Sequence, residues 1–445
     1  MSQSNDLPHV IIVGGGFAGL YAARVLSKCP VRVTILDRQN HHTFQPLLYQ
    51  VATAGLAPTE IAMPIRSIVR EYRNTEVLMA EVTGFDLEQQ TVQTAEGELS
   101  YDYLLIAAGA THAYFGHDEW SRYAPGLKSV ADAVEIRRRV LLSFELAERE
   151  ARLHNRKIPL NFFVVGGGPT GVEMAGALSE ISRRVIAEDF RSIDPKTTRI
   201  ILVEGAPKIL GAFPDDLCAS ARRQLEKIGV EVMTGAMVTD IGPDYLCIGG
   251  VKHPAAVVVW GAGVAASPLG AKLGVPTDRA GRPIVNPDLS LPGHSNVFVL
   301  GDMASVKQKN GAPVPGVAPG AIQMGTFAGK TIAAELRGEA RKEFSYWNKG
   351  TLATIGRNAA VGDLGPVHLS GFLAWMAWLL IHVYFLIGFR NRIRVMADWA
   401  WQYFTFGRGA RLITGQREWI VPPSTDSASV LPTGKTNAGG KTAIE

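Results

Sequence analysis

A short apolar run, three consecutive glycines and a helix-like stretch occur twice in this chain, and no other feature constrains the fold as strongly. Residues 9–13 (His-Val-Ile-Ile-Val) have the pattern of a strand buried on both faces; Gly14-Gly15-Gly16-Phe17-Ala18-Gly19 and a helical stretch to Leu26 follow. The second copy is Phe162–Val165, then Gly166-Gly167-Gly168-Pro169-Thr170-Gly171, then a helical stretch to Ile181. Between strand and helix, G-x-G-x-x-G is the turn of a dinucleotide-binding unit. Its first glycine permits the turn, its second lets a pyrophosphate approach the backbone, and its third lets helix pack on strand. Each unit continues to a strand ending in an acid, Val31–Leu36 to Asp37 and Arg199–Val203 to Glu204, where a carboxylate can accept hydrogen bonds from a ribose. Asp37 follows Gly19 by 18 residues and Glu204 follows Gly171 by 33; the charged stretch Ser182–Lys196 accounts for the excess and is predicted to extend the helix and add a loop. An acid at the second site favours NADH over NADPH, because a 2′-phosphate would face a carboxylate. Arg38, beside Asp37, lies in the first unit and does not undo this.

Two such units bind two dinucleotides, and passing electrons between a bound flavin and a nicotinamide is the economical use of both. Tyr103–Ala110 and Val297–Ala304 are further apolar strands ending in small residues, which allow a cofactor close to the backbone at Ala108, Gly109 and Gly301. Asp302 is placed to bond a cofactor hydroxyl, or more plainly to cap a helix. At 445 residues, with 47% hydrophobic and 19% charged, the chain is neither mainly disordered nor a polytopic membrane protein. Cys29, Cys218 and Cys247 are too few and too scattered for a disulfide framework, a four-thiolate zinc site or an iron–sulfur site. The start, MSQSNDLPH, has no basic segment leading into an apolar one, so a cytoplasmic, reducing setting is expected. Residues 366–420 hold six arginines against two acids, which is the whole net charge of +4. A local basic surface, not a nucleic-acid binder, is indicated.

With these features in place the chain resembles the two-dinucleotide-binding-domain flavoproteins, and within them the type II NADH dehydrogenases, the single-subunit NADH:quinone oxidoreductases. The matching residues are His42-Thr-Phe-Gln-Pro-Leu-Leu-Tyr-Gln-Val-Ala-Thr53 as a block, Gly166–Glu173, Val259-Trp-Gly-Ala-Gly263, Ala318–Gly325, Ile355-Gly-Arg357, Ala374-Trp375 and Thr405–Leu412. The resemblance implies an α/β fold of two Rossmann-like domains, an FAD domain (1–115 and 275–335) split by an inserted NAD domain (116–274). A helical membrane-associating segment (336–420) and a disordered tail (421–445) complete the chain. It assigns Gly14, Gly16, Phe17, Ala18, Gly19, Asp37, Arg38, Gln45, Thr53, Ala108, Gly109, Gly301 and Asp302 to FAD. To NADH it assigns Gly166, Gly168, Pro169, Thr170, Gly171, Glu204, Gly261, Ala262 and Gly263. Hydride would pass from NADH to the flavin and two electrons on to a membrane ubiquinone or menaquinone, without proton pumping. Gln323 matches the second glutamine of a family pattern that lines the quinone tunnel, while Pro319 replaces the first. Glu173, which the pattern puts in the first turn of its helix, would lie near nicotinamide and flavin and position NADH or relay protons. The cysteine-free span 38–70 separates the chain from disulfide reductases. The alternatives are a flavoprotein reducing a protein acceptor, in the manner of ferredoxin reductases, and a non-enzymatic NADH sensor.

Gly371–Phe389 holds 19 residues with one polar side chain, His382, and the arginines at 390, 392 and 394 follow at once. Five of the eight tryptophans fall between 366 and 420, and tryptophans with arginines mark the level of lipid headgroups. A helix in or dipping into the membrane surface, a single spanning helix, and a buried dimerisation core are the three readings. The first two put the protein on a bilayer, at the cytoplasmic face of the inner membrane, and a homodimer is compatible with either.

Overall fold

A computed structural model describes residues 7–308, 310–405, 407 and 409–414. The first glycine unit forms as its pattern requires: β1 (His9–Val13), α1 (Phe17–Leu26) and β2 (Arg32–Asp37), with Ile12 facing Ile35 in a parallel pair. β3 (His41–Thr43), α2 (Leu48–Ala52), β4 (Ala62–Pro64), β5 (Thr75–Met79) and β6 (Tyr103–Ile106) follow. α3 (Val130–His154) opens the second unit. Its first turn is fixed reciprocally: the Ser129 hydroxyl accepts the Asp132 N–H at 3.1 Å and the Asp132 carboxylate accepts the Ser129 N–H at 2.8 Å.

β7 (Asn161–Val165), α4 (Pro169–Glu180), β8 (Arg199–Glu204), β9 (Val230–Thr234) and β10 (Val257–Trp260) build the second unit, whose parallel sheet runs β9-β8-β7-β10. β11 (Ser290–Leu291) and β12 (His294–Val299) then rejoin the first sheet, completing the order β11-β12-β6-β1-β2-β5, and α5 (Ala318–Glu335) follows. Strands from both sides of the second unit thus share one sheet. A two-stranded ribbon, Ala110–His112 against Val264–Ala266, lies where the chain leaves and returns.

Three features depart from expectation. The stretch 182–196 is mostly not helix: α4 runs into a single π turn (Ile181–Val185), and turns follow to a short 3-10 segment at Pro195–Thr197. Pro169 is the first residue of α4, so Glu173 is the fifth and lies in the second turn, not the first. A small antiparallel sheet, β13 (Thr351–Gly356), β14 (Ala359–Asp363) and β15 (His368–Ser370), precedes the C-terminal helices. Its sequences (TLATIG, AAVGD) are too rich in Ala and Gly to signal strands. It reaches the second unit by a close approach: a side chain at Gly176 of α4 would collide with the Ile355 carbonyl.

α6 (Phe372–Phe385) and α7 (Phe389–Thr405) are the last helices of the described residues. The spanning reading of 371–389 is overturned. Leu386 takes an extended conformation (φ −63°, ψ 129°) and breaks the apolar run, leaving α6 with 14 residues. That is about 21 Å of helix against a hydrocarbon core of about 30 Å. Among the described residues no helix is long and apolar enough to cross a membrane. Instead Trp378, Leu386 and Val395 join the core shared with α2 and α4. The stretch 421–445, together with Arg408, Arg417 and Trp419, lies outside the described residues.

Candidate functional site

The two glycine turns are built alike to the level of single atoms. Gly14 and Gly166 have φ of +106° and +108°, a region that suits glycine, and each rests on the chain leaving the strand beneath, Ala107-Ala108 after β6 and Gly261-Ala262 after β10. The strand-end acids reach the middle of each turn. Asp37 accepts the Gly15 N–H at 2.6 Å and the Gln39 N–H at 2.7 Å. Glu204 accepts the Gly167 N–H at 2.5 Å and the Ala206 N–H at 2.7 Å. The unequal sequence spacings therefore converge on one geometry.

At Gly16 and Gly168 the surroundings differ: a Cβ there would meet no protein atom within 4 Å, and neither residue carries a side-chain cap for the helix it begins. The first N–H groups of α1 and α4 therefore open onto free space at the positive end of a helix dipole. That arrangement fits a pyrophosphate in both turns. Phe17 and Ala18 begin α1, while Pro169 and Thr170 begin α4. Gly109 (φ +68°) follows β6, and Gly301 (φ +71°) with Asp302 follows β12. Gln45 opens a 3-10 turn, Thr53 is buried with its hydroxyl on the Tyr49 carbonyl at 2.9 Å, and Arg38 is exposed. The Phe115 ring packs against Gly263.

A cleft of about 100 Å³ lies among α2, α4, β13, α6 and α7. Tyr49, Trp375, Trp378, Trp399 and Tyr403 give it aromatic walls, and Glu173 and Thr354 line it as well. The Thr354 N–H reaches the Glu173 carboxyl at 3.4 Å, and burial raises the Glu173 pKa to about 8, so this acid holds its proton at neutral pH. α7 is fastened at several points. The Trp399 indole donates to Gln50 at 2.7 Å and the Gln402 amide to the Gly55 carbonyl at 2.5 Å. Arg357 donates to the carbonyls of Gln402 and Tyr403, both at 2.7 Å, and pairs with Glu180 at the end of α4 at 3.3 Å. Glu60, raised to about 7 by burial and by neighbouring Asp398, adds a carboxyl pair to the same interface.

Glu173 and Gln323 do not line one cleft. Both ends of the Gln323 amide are bonded to the backbone of Trp347, its NH2 donating at 3.0 Å and its carbonyl accepting at 2.9 Å. The aromatic walls, Thr354 and the α7 fastenings escaped sequence reasoning, since partners such as Gln50 and Trp399 lie hundreds of residues apart. The three cysteines are unpaired, and burial pushes each thiol's pKa up.

A family described as pyridine nucleotide-disulphide oxidoreductase matches residues 8–325, and one described as the NDH2 C-terminal domain matches residues 348–409. The chain is 44% identical over 424 residues to the type II NADH:quinone oxidoreductase Ndh of Mycobacterium tuberculosis, covering 92% of this chain and 90% of that one. It is 44% identical over 425 residues to NdhA of the same organism, covering 92% and 89%. Among solved structures, NDH2 from Plasmodium falciparum in complex with NADH is similar with a TM-score of 0.82 over 91% of this chain and 99% of that one. At 20% identity, that likeness is one of fold.

Proposed function

The chain belongs to the type II NADH:quinone oxidoreductases, and from that premise we propose how its own residues serve the reaction. It is an enzyme that oxidises NADH and reduces a quinone. The flavin is FAD, which when bound supplies the two-electron relay between the substrates. The Gly14–Gly19 turn and the α1 N-terminus would hold its pyrophosphate and Asp37 its ribose, with Ala108, Gly109, Gly301 and Asp302 along its length. Gly166–Gly171 and the α4 N-terminus take the NADH pyrophosphate, Glu204 takes the adenosine ribose, and Gly261–Gly263 form the neighbouring wall. The FAD domain then comprises 1–115 and 275–335, and the NAD domain 116–274.

The quinone headgroup enters the aromatic cleft, where its reduction consumes protons as well as electrons. Glu173 holds a proton at its carboxyl on the cleft wall and donates it to one quinone oxygen, while the second proton of the quinol, and the one that recharges Glu173, come from water. The quinone arrives from a bilayer on which α6 and α7 lie in plane, at the cytoplasmic face. Their outer sides present Leu373, Leu380, Tyr384, Ile393, Trp401 and Phe404 to the surroundings. One observation carries this reading. α4 begins at the second glycine turn and, five residues on, sets a carboxyl into a cleft walled by apolar-faced C-terminal helices. Donor and lipid acceptor meet on one helix.

Steady-state NADH oxidation with ubiquinone and menaquinone analogues, with and without lipid vesicles, tests it. Rapid quinone reduction, faster with vesicles, is expected. Reoxidation only by an iron–sulfur or haem protein would refute it and restore the protein-acceptor alternative.

A further inference from the structure

We propose that Trp378 is a positioning residue for the proton transfer, its indole N–H donating a hydrogen bond to the carboxylate that Glu173 becomes once its proton has left. The inference rests on the reading of Glu173 as a proton donor to the quinone. Trp378 lies on α6, is 2% exposed and lines the same cleft as Glu173. Its Nε1 is buried and has no hydrogen-bond partner among the described residues. A buried donor left unmet is costly and therefore rare. An indole nitrogen only donates, so the group that answers it must be an acceptor. The Glu173 carboxyl is the acceptor it faces. Burial raises that acid's pKa, and the Thr354 N–H and the Trp378 indole draw it down, yet the indole bond has not closed.

Both donors are slack around the protonated acid. The Thr354 N–H stands 3.4 Å away, beyond the usual span of about 2.7–3.2 Å for such a bond, and the Trp378 N–H is unpaired among the described residues. A neutral carboxyl pulls weakly on them, and a carboxylate about twice as hard, so both bonds close as the proton leaves. An interaction that strengthens as charge develops lowers the barrier and not only the energy of the resting state. The indole is held ready for this. His382 stacks on it at 4.1 Å between centroids, Trp399 packs at 5.5 Å and Tyr49 at 6.5 Å. The His382 Nδ1–H donates to the Trp378 carbonyl at 2.7 Å, and burial holds that imidazole's pKa at about 4, so its ring brings no positive charge at neutral pH. The other ionisable groups on the cleft wall are Tyr49, Glu180, Arg357 and Tyr403. Arg357 is turned to Glu180 at 3.3 Å and to the carbonyls of α7, and among the described residues no charged group shifts the balance at Glu173.

Trp378→Phe removes the N–H and keeps a ring on His382; should that variant not fold, 3-benzothienylalanine at the same position exchanges only the N–H for sulfur. The measurement is reoxidation of the NADH-reduced holoenzyme by a short-tailed ubiquinone analogue, followed by stopped-flow flavin absorbance across neutral and alkaline pH. Quinone is saturating, so that a change in the fit of the cleft wall shows in KM and not in the profile. Wild type, Trp378→Phe, Glu173→Gln and the double variant are compared. Without its second donor the carboxylate is harder to form, and Glu173 keeps its proton to higher pH. The fall in rate near pH 8 is expected to move up by about one pH unit in Trp378→Phe, and the rate at neutral pH to drop about threefold, because a weaker acid gives its proton more slowly. With Glu173→Gln the fall should be absent whether or not Trp378 is present. A fall that stays near pH 8 in Trp378→Phe overturns the proposal and leaves Trp378 a packing residue. A fall that moves and persists in the double variant overturns it too, since another group would then titrate. Glu173→Gln with the rate and profile of the wild type refutes instead the proton-donor reading itself.

Discussion

Glu173 sits five residues into α4, where Thr354 offers one N–H at 3.4 Å and its position on the cleft wall, withdrawn from bulk water, disfavours a charged carboxyl. Its pKa rises from 4.5 to about 8, so the group keeps its proton at pH 7 and loses it as pH climbs through about 8. Glu173→Gln is therefore expected to retain FAD but slow reoxidation by quinone about a hundredfold, within the range typical of general acid catalysis. The wild type should show a fall in that rate near pH 8, and the variant should not; stopped-flow flavin absorbance across pH checks both. Glu204 does two things at once. Its carboxylate holds the turn through Gly167 and Ala206, so removing it loosens the site for either nicotinamide. Glu204→Gln is the cleaner test because it keeps an acceptor and removes the charge that a 2′-phosphate would face. The ratio of kcat/KM for NADPH to that for NADH should rise roughly tenfold, about 1.4 kcal/mol. No rise would dissolve the argument for NADH preference.

At the scale of elements, α7 is the two-sided piece. Val395, Trp399, Gln402 and Tyr403 face inward on the core and the cleft, while Ile393, Trp401 and Phe404 are 52%, 65% and 81% exposed. Because the inner contacts are independent of the outer side chains, changing the outer ones should separate lipid binding from stability. Trp401→Ser with Phe404→Ser is expected to shift the protein from sedimenting with vesicles to the supernatant, with the melting temperature unchanged. Sedimentation like wild type would remove α7 as the lipid-facing element. Truncation near residue 365, which the apolar run alone suggests as a route to solubility, removes Trp378, Leu386 and Val395 from the core at the same time. Such a chain would lose stability along with membrane binding.

At the scale of the molecule, burial holds down the pKa of four described histidines, His9, His42, His253 and His382. His42 and His382 are each pushed from 6.5 to about 4 by burial. Between those values the unfolded chain binds protons that the folded one refuses, so stability is fully present above pH 6.5 and drains away as pH falls toward 4. The melting temperature should drop by several degrees over that interval. His42→Asn, which removes one of these groups, should flatten the slope; an identical slope would show that other groups dominate.

The sequence by itself determined the two glycine-turn units, their order, the strand-end acids that brace the turns and the family, because glycine turns, buried strands and strand-end carboxylates are local devices read over a few dozen residues. It left the C-terminal segment open, and hydropathy alone allowed a spanning helix. Tertiary structure decided that point: the break at Leu386 ends the apolar run as the short helix α6 and leads the chain into α7, and the inner faces of the two complete a core begun by α2 and α4. It also decided which residues share a cleft. Glu173 lies 181 residues before Thr354, and Thr354, Trp378 and Trp399 sit on three separate elements, so only packing brings the four together. Gln323 was legible as a motif residue, but its amide is taken up by the Trp347 backbone. Burial, not residue type, sets the charge state of Glu173 and His42, and burial is a property of the assembled chain.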